Sequence, residues 1–225
     1  MNRPPKPTLA PNKTSSSEPP VSESHSYHHG SLPDALLRAA EVVLLREGLK
    51  GLTLRAIARE AGVSHTAPQH HFGDIAGVLS DLAAIGHRRL AACMAERASA
   101  AQAGELRGKA IAQGYVDFAV ENADLFRLMS RNELLNSDRP ALIDARRLSA
   151  RGLAGVFEDV SNEPRGGKDL FGPLSAPQAI AMTSAWSHVH GLAALLIDNR
   201  LTAIAASSGE FKNARELVDA VIEQM

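Results

Sequence analysis

Four polar side chains that can contact the edges of nucleic acid bases lie close together between residues 65 and 70. His65, Thr66, Gln69 and His70 each end in a hydrogen-bond donor or acceptor. Their spacing of three and four residues places them on one face of a short helix. Phe72 follows, and we expect it to anchor the far end of that helix inward. Such a face suits contact with bases and phosphates in a DNA major groove.

The preceding residues predict the turn and the helix that would position this polar face. Thr53 is a predicted N-cap for a short helix with one apolar stripe, formed by Leu54, Ile57, Ala58 and Ala61. Gly62 ends that helix, and Ser64 is the predicted N-cap of the polar helix that follows. Two short helices joined in this way predict a helix-turn-helix, although an ordinary helical hairpin also fits the spacing.

Helical periodicity continues on both sides of this unit. A first helix extends from Ser31, which forms a capping-box pattern with Asp34, to a stop at Gly48. Asp74 caps a long helix to about Ser99. Further helices are predicted near 106–120, 123–135, 140–160, 177–199 and 208–224, with a long loop at 161–175. No strand pattern competes, so the predicted fold class is all-α.

The composition excludes several classes of protein. The 225 residues carry a net charge of −1, so the whole chain is not a polycation that binds nucleic acid unspecifically. Cys93 is the one cysteine, which excludes an internal disulfide or a Cys-based zinc site. We find neither a membrane span nor a signal peptide and expect a cytoplasmic protein. Residues 1–26 hold six of the twelve prolines and predict a disordered arm.

Residues 27–99 closely resemble the N-terminal domain of the TetR family of bacterial transcriptional regulators. The motifs that carry the resemblance are YHHGSLPDALLRAA at 27–40, GLTLRAIAREAGVS at 51–64 and HTAPQHHFGD at 65–74. AVENADLFRLM at 119–129 and AWSHVHGLAALLIDNRL at 185–201 resemble the C-terminal ligand domain of a TetR subgroup with a Trp, His and Gly motif. The resemblance implies a three-helix helix-turn-helix domain at 27–74, followed by a helical ligand-binding and dimerisation domain at 75–225.

The resemblance also implies a function. Members of the family form homodimers that bind a palindromic double-stranded DNA operator, usually as repressors, and release it when a small-molecule effector binds. Carried over by position, the DNA-binding residues are Tyr27, His28, His29, Thr53, Arg55, Ser64, His65, Thr66, Gln69 and His70. This chain departs from the family pattern at Gln69, where Tyr is common, and at Ile75, where Lys is common. Both usual residues contact phosphate, so a helical small-molecule sensor or protein-interaction module with weakened DNA binding stays an alternative.

Other functions have little support in the sequence. It lacks a glycine-rich phosphate loop and a serine nucleophile elbow, and no histidine pair on a predicted helix has the four-residue spacing of a zinc site. We therefore expect no enzymatic activity, no cofactor and no metal.

The charge balance of residues 27–92 gives the histidines a potential role. Seven Lys and Arg residues oppose six Asp and Glu residues there, so few cations are available for phosphate. Six histidines could supply charge when protonated, namely His28, His29, His65, His70, His71 and His87. The hypothesis is that operator affinity rises as the pH falls from about 8 to 6. Histidines that stay neutral and make simple hydrogen bonds are the alternative.

A ligand-binding face is predicted in the C-terminal half. Trp186 and His190 lie four residues apart, so they share a helix face that could line a ligand cavity. Candidate walls from earlier helices are Tyr115, Phe118, Phe126 and Met129. A hydrophobic or aromatic ligand would suit them, while a plain bundle core is the alternative.

The sequence also predicts two dimer faces. The first comprises Ile180, Ser184, Ser187, Gly191 and Ala194, and the second comprises Phe211, Ala214, Leu217, Val218, Val221 and Ile222. These faces could instead pack the protomer's own core.

Overall fold

The computed structural model describes Met1 and residues 31–101, 106–154 and 175–225. Within these ranges the chain is all helical, as the sequence predicts. The elements are α1 (Leu32–Gly51), α2 (Leu54–Glu60), α3 (Ala67–Phe72), α4 (Ile75–Ala100), α5 (Leu106–Glu121), α6 (Ala123–Met129), a 3-10 helix (Asn132–Leu134), α7 (Pro140–Ala154), α8 (Ala176–Ile197), α9 (Thr202–Ser208) and α10 (Ala214–Glu223). The predicted arm at 1–26, Tyr27, His28, His29 and nearly all of the predicted 161–175 loop lie outside the described residues.

The first helix supplies the core against which the next two helices pack. Its inner face is fully buried and comprises Leu36, Ala40, Val43 and Leu44. The helix is interrupted at Gly48, where φ is +68°, as the predicted stop requires. The predicted capping box at its start is wrong. The Ser31 hydroxyl donates to the Asp34 carboxylate at 2.7 Å and caps no backbone N–H.

The long helix α4 joins the N-terminal helices to the rest of the bundle. Its N-cap prediction is confirmed, because Asp74 Oδ1 accepts a hydrogen bond from the Gly77 amide at 2.8 Å. The helix packs against the N-terminal helices α1 and α3 and also against α5, α6 and α7. Its inner residues Val78, Leu82 and Met94 are fully buried. Because α4 belongs to both groups of contacts, it can position both functional regions.

Two of the predicted C-terminal helices differ from the structure. The predicted helix at 123–135 is α6 followed by the 3-10 helix, because the chain turns at Ser130, whose hydroxyl donates back to the Phe126 carbonyl. The predicted helix at 208–224 begins later, at Ala214. Gly209 ends the additional helix α9 with φ at +70°, and Asn213 then caps α10 by accepting from the Glu216 amide at 3.0 Å.

Helix α8 is apolar but little buried within the protomer. Only 17% of its most apolar 18-residue stretch is buried inside the protomer. It is the one helix in the described ranges that is long and apolar enough to cross a membrane by length and composition. That is weak evidence for a membrane span, because helices that pack in soluble proteins pass the same test. The exposed apolar surface of α8 requires another explanation.

Candidate functional site

Local hydrogen bonds fix both ends of α2. The Thr53 hydroxyl oxygen accepts from the Ala56 amide at 3.1 Å, which confirms the predicted N-cap. At the other end Gly62 N–H donates to the Arg59 carbonyl at 3.2 Å, and Val63 N–H donates to the Ala58 carbonyl at 3.0 Å. Such a pair of hydrogen bonds at the end of a helix requires its first donor residue to adopt a left-handed backbone conformation. Gly62 does so, with φ at +67°. The turn therefore sets the direction in which the chain enters α3.

The start of α3 differs from the prediction. The helix begins at Ala67 with Thr66 at the N-cap, so the prediction that Ser64 is its N-cap is wrong. The Ser64 carbonyl instead accepts from the Ala67 amide at 3.0 Å and closes a turn. The physical reason is Pro68, because a helix capped by Ser64 would need a Pro68 N–H that proline lacks. A start at Ala67 places Pro68 in the first turn, where no donor is needed.

The short helix α3 presents a polar face to solvent. The four side chains predicted to face outward are all exposed, namely His65, Thr66, Gln69 and His70. Pro68 and Phe72 are buried beneath them, and Phe72 belongs to the main core, which confirms its prediction as an inward anchor. Ser64 is also exposed, and its hydroxyl lies 2.9 Å from the Thr66 hydroxyl. The structure thus brings five of the predicted contact residues onto one accessible surface.

Few free cations surround that surface. Arg46 pairs with Glu47 at 2.9 Å and with Glu60 at 2.8 Å, and Arg89 pairs with Glu41. Arg38, Lys50, Arg55 and Arg88 are exposed and make no ion pair with any residue that the structure describes. Because Arg55 lies in the first turn of α2, it is the cation closest in sequence to the Thr53 cap. Positive charge for phosphate contact therefore depends on a small number of side chains.

His87 does not belong to this surface. Its Nδ1 lies 2.9 Å from the Ser149 hydroxyl, inside the C-terminal half of the bundle. Burial, and to a lesser extent the positive charge of Arg146, lower the pKa of His87 to about 4. The imidazole is therefore neutral between pH 6 and 8, and the prediction that it could supply charge to DNA is wrong. His65, His70 and His71 remain exposed.

A cavity of about 480 Å³ lies among α4, α5, α6, α7 and α8. This volume is within the range of small-molecule sites. The lining includes five of the six predicted ligand residues, namely Tyr115, Phe126, Met129, Trp186 and His190. Phe118 is not part of the lining, because it lies about one turn beyond Tyr115 on α5 and is fully buried in the core. Trp186 is 54% exposed, so it is not a core residue of the protomer.

Aromatic side chains form one wall of the cavity. The Phe126 and His190 rings stack with centroids 5.2 Å apart, and Trp186 meets His190 edge-on at 6.1 Å. The Tyr115 hydroxyl lies 2.9 Å from His190 Nδ1. Burial raises the pKa of Tyr115 to about 12 and lowers the pKa of His190. The wall is consequently flat, polarisable and uncharged at neutral pH.

Sequence reasoning does not identify all of the polar groups in the cavity lining. Arg146, Ser149 and Asn132 line the cavity together with His87. Arg146 Nη2 donates to Asn132 Oδ1 at 2.6 Å. The helical periodicity of α7 could have indicated Arg146. This residue lies on the same face of the helix as Leu142, Ser149 and Leu153, and these three residues are buried. A charged residue within a buried stripe is a candidate for a site.

Arg139 connects the helix-turn-helix to the helix that bears Arg146. It precedes α7 directly and donates to both carboxylate oxygens of Asp81 on α4, at 2.8 and 2.6 Å. Its remaining nitrogen lies 3.4 Å from the carbonyl of Phe72, the last residue of α3. The Ser80 hydroxyl also accepts from the Asn136 amide at 2.8 Å. The start of α7 is thereby held against α3 and α4.

Comparison with known families decides the classification. The family described as "Tetracyclin repressor-like, C-terminal domain" matches residues 109–225, which is more than half of the chain. The family described as "Bacterial regulatory proteins, tetR family" matches residues 36–82. The chain belongs to the TetR family. It is therefore a transcriptional regulator with a DNA-binding helix-turn-helix and a ligand-binding C-terminal domain.

Solved structures resemble most of this TetR family chain. A protein of unknown function from Rhodococcus sp. RHA1 is 31% identical with a TM-score of 0.65, over 89% of this chain and 96% of that one. The TetR family regulator PfmR from Thermus thermophilus is 17% identical with a TM-score of 0.55, over 84% and 94%. The protein SCO4313 is 16% identical with a TM-score of 0.63, over 85% and 93%. The last two show the fold alone. A search of curated proteins finds no significant match.

Proposed function

We propose that this TetR family protein is a cytoplasmic repressor that binds a palindromic operator as a homodimer and releases it when a small molecule enters the C-terminal cavity. The observation that carries the proposal is the exposed polar face of α3, positioned by the Thr53 cap and the Gly62 turn. We also assign the chain to the subgroup with a Trp, His and Gly motif, on the sequence around Trp186, His190 and Gly191.

The proposed DNA contacts divide into two kinds. His65, Thr66, Gln69 and His70 would reach base edges or phosphates from α3, because their polar ends face solvent. Thr53, Arg55 and Ser64 would hold the phosphate backbone. The Thr53 hydroxyl oxygen already accepts a capping bond, but its proton is free to donate to a phosphate. Tyr27, His28 and His29 would add contacts from the arm.

The proposed dimer uses the outward face of α8. Ile180 is 67% exposed, Ser184 and Ser187 are exposed, and a Cβ built on Gly191 would meet nothing within 4 Å. An apolar face with small residues suits close approach of the same helix from a second copy. The predicted α10 face contributes less, because Val218 and Ile222 are fully buried in the protomer's own core. A two-fold dimer would place two α3 helices about one DNA turn apart.

Effector release has a physical route in α7. This helix lines the cavity through Arg146 and Ser149, and its start is held to Asp81 and to the end of α3 by Arg139. A ligand that binds one orientation of α7 more tightly would shift the population of α3 orientations. The coupling would change the spacing of the two α3 helices rather than block their DNA-facing surface.

A sensor with weakened DNA binding is the second candidate. Ile75 is half-buried and packs against the core at the start of α4, where it offers no cation to a phosphate. Gln69 supplies a neutral amide where the family commonly has Tyr. With Arg46 and Arg89 already paired, the loss of a cation would matter for affinity.

Selection of random duplex DNA on the purified protein tests the proposal. We expect enrichment of a palindrome whose half-sites lie about one helical turn apart, together with a steep loss of affinity as salt is added. If no motif is enriched while the protein is folded and dimeric, the sensor function is favoured.

A further inference from the structure

The cavity carries a positive charge that no carboxylate in its described lining neutralises. Arg146 is the charged residue among the described lining residues, none of which is Asp or Glu. One of its terminal nitrogens donates to the neutral amide of Asn132. Its other N–H groups have no hydrogen-bond partner among the residues that the structure describes. A guanidinium in this setting attracts an anion and repels a cation.

His87 adds a hydrogen-bond acceptor to the same wall. The Ser149 hydroxyl lies 3.1 Å from the Arg146 carbonyl and donates to it, so its oxygen accepts from His87 Nδ1–H at 2.9 Å. The remaining nitrogen, Nε2, then carries a lone pair. This atom is buried and has no hydrogen-bond partner among the residues that the structure describes. Since buried polar atoms are nearly always hydrogen-bonded, Nε2 would accept from a ligand donor that displaces the side chains covering it.

The rest of the cavity suits an apolar body with a flat ring. Phe126, Trp186 and His190 provide the aromatic wall, and Met129 and Met182 are the adaptable side chains beside it. The volume of about 480 Å³ accommodates a ligand with more than one ring. One positive charge and a large apolar surface thus line the same site.

We infer that the effector is an apolar, ring-bearing monoanion whose carboxylate or sulfonate group binds Arg146 and whose rings lie against Phe126 and Trp186. A hydrogen-bond donor on the ligand would occupy His87 Nε2. The inference rests on the proposed function in one respect, since it takes this cavity to be the effector site. It narrows the hydrophobic or aromatic ligand that the sequence predicts to one charge class.

Two dyes that differ in one sulfonate group test the charge class directly. 8-Anilinonaphthalene-1-sulfonate is an anion, and N-phenyl-1-naphthylamine has the same ring system without the charge. Trp186 is the only tryptophan of the sequence and lines the cavity, so energy transfer from tryptophan to the dye reports binding near this site. The titration needs no DNA. We expect the wild-type protein to bind the sulfonate at least tenfold more tightly than the neutral dye.

Variants of two neighbouring arginines on α7 isolate the contribution of the cavity. Arg146→Met should remove the tenfold preference for the sulfonate and leave binding of the neutral dye almost unchanged. Arg147→Met removes the same charge from an exposed position that does not line the cavity, so the preference should persist. Arg146→Lys keeps the charge and should retain part of the preference, which provides a second test if the Met variant does not fold.

Equal binding of the two dyes, or an equal response of the Arg146 and Arg147 variants, would overturn the inference. The operator is assayed separately. If the sulfonate binds through Arg146 but does not release DNA, the ligand class stands and effector release by this cavity fails.

Discussion

Arg139 donates hydrogen bonds from Nε and Nη2 to the two carboxylate oxygens of Asp81, at 2.8 and 2.6 Å. Both side chains are largely buried, with 26% and 17% of their surfaces exposed. The pair joins the start of α7 to α4, and a third nitrogen of Arg139 approaches the last carbonyl of α3. Arg139 therefore contacts the helix-turn-helix and directly precedes α7, the helix that bears the cavity residue Arg146.

Removal of this pair should weaken both stability and DNA binding. Arg139→Gln leaves the Asp81 carboxylate without its cation, so we expect the free energy of unfolding to fall by about 1–2 kcal/mol. Operator affinity should fall as well, because the end of α3 loses a support. Urea unfolding and mobility shifts measure the two effects. Arg131→Gln removes an exposed pair with Glu133 and should change neither. Equal stability of the two variants would contradict the role given to Arg139.

Burial of neutral His87 should make stability depend on pH. Its pKa is about 4 in the folded protein, below the ordinary value of 6.5, so the unfolded chain binds the proton more tightly. The stabilising contribution is complete above pH 6.5 and is lost as the pH falls toward 4. Between pH 7 and 5 the wild-type protein should lose about 2 kcal/mol relative to His87→Gln in urea unfolding. His188→Gln changes an exposed histidine and should follow the wild type. Parallel curves for the wild type and His87→Gln would refute the prediction.

Operator affinity should rise as the pH falls from about 8 to 6 at constant salt. Protonation of exposed α3 histidines beside phosphates would add charge to a surface with few free cations. His70→Gln should make this increase in operator affinity about fivefold smaller, which corresponds to the loss of one charged contact. His87→Gln should leave the profile unchanged, because that imidazole is buried away from DNA. A flat wild-type profile would count against the histidine hypothesis.

Substitutions on the exposed face of α8 should separate the subunits. Ile180→Glu places a charge in the proposed interface, and Gly191→Val adds bulk where the protomer itself offers no obstruction. Both should shift the protein from dimer to monomer in sedimentation velocity without loss of helix. Leu45→Glu is the matched control, because Leu45 on α1 is 64% exposed and Ile180 is 67% exposed. Dimers of unchanged affinity in both α8 variants would place the interface elsewhere.

Features that depend on neighbours in sequence could be predicted. The Thr53 and Asp74 caps and the Gly62 turn involve hydrogen bonds across three to five residues, so their residue types are sufficient evidence. The Ser64 prediction failed even at this range, because the missing N–H of Pro68 determines where α3 begins.

Features that depend on distant parts of the chain could not be predicted. His87 meets Ser149, 62 residues away, and no local pattern reveals that its imidazole is buried beside Arg146. Tyr115 and Phe118 lie on adjacent turns of α5, yet one lines the cavity and the other fills the core. Helix α5 packs against both α4 and α8, and its local sequence pattern does not distinguish the two positions.

The affinity of Thr66→Ala for the selected operator tests the central claim most directly. Thr66 is exposed at the start of α3, and Thr202, exposed at the start of α9, is the matched control. We predict that Thr66→Ala binds the operator about tenfold more weakly and a scrambled duplex equally well, since base contacts carry specificity. Thr202→Ala should behave as the wild type on both duplexes. Equal operator affinity of the two variants would contradict sequence reading by α3.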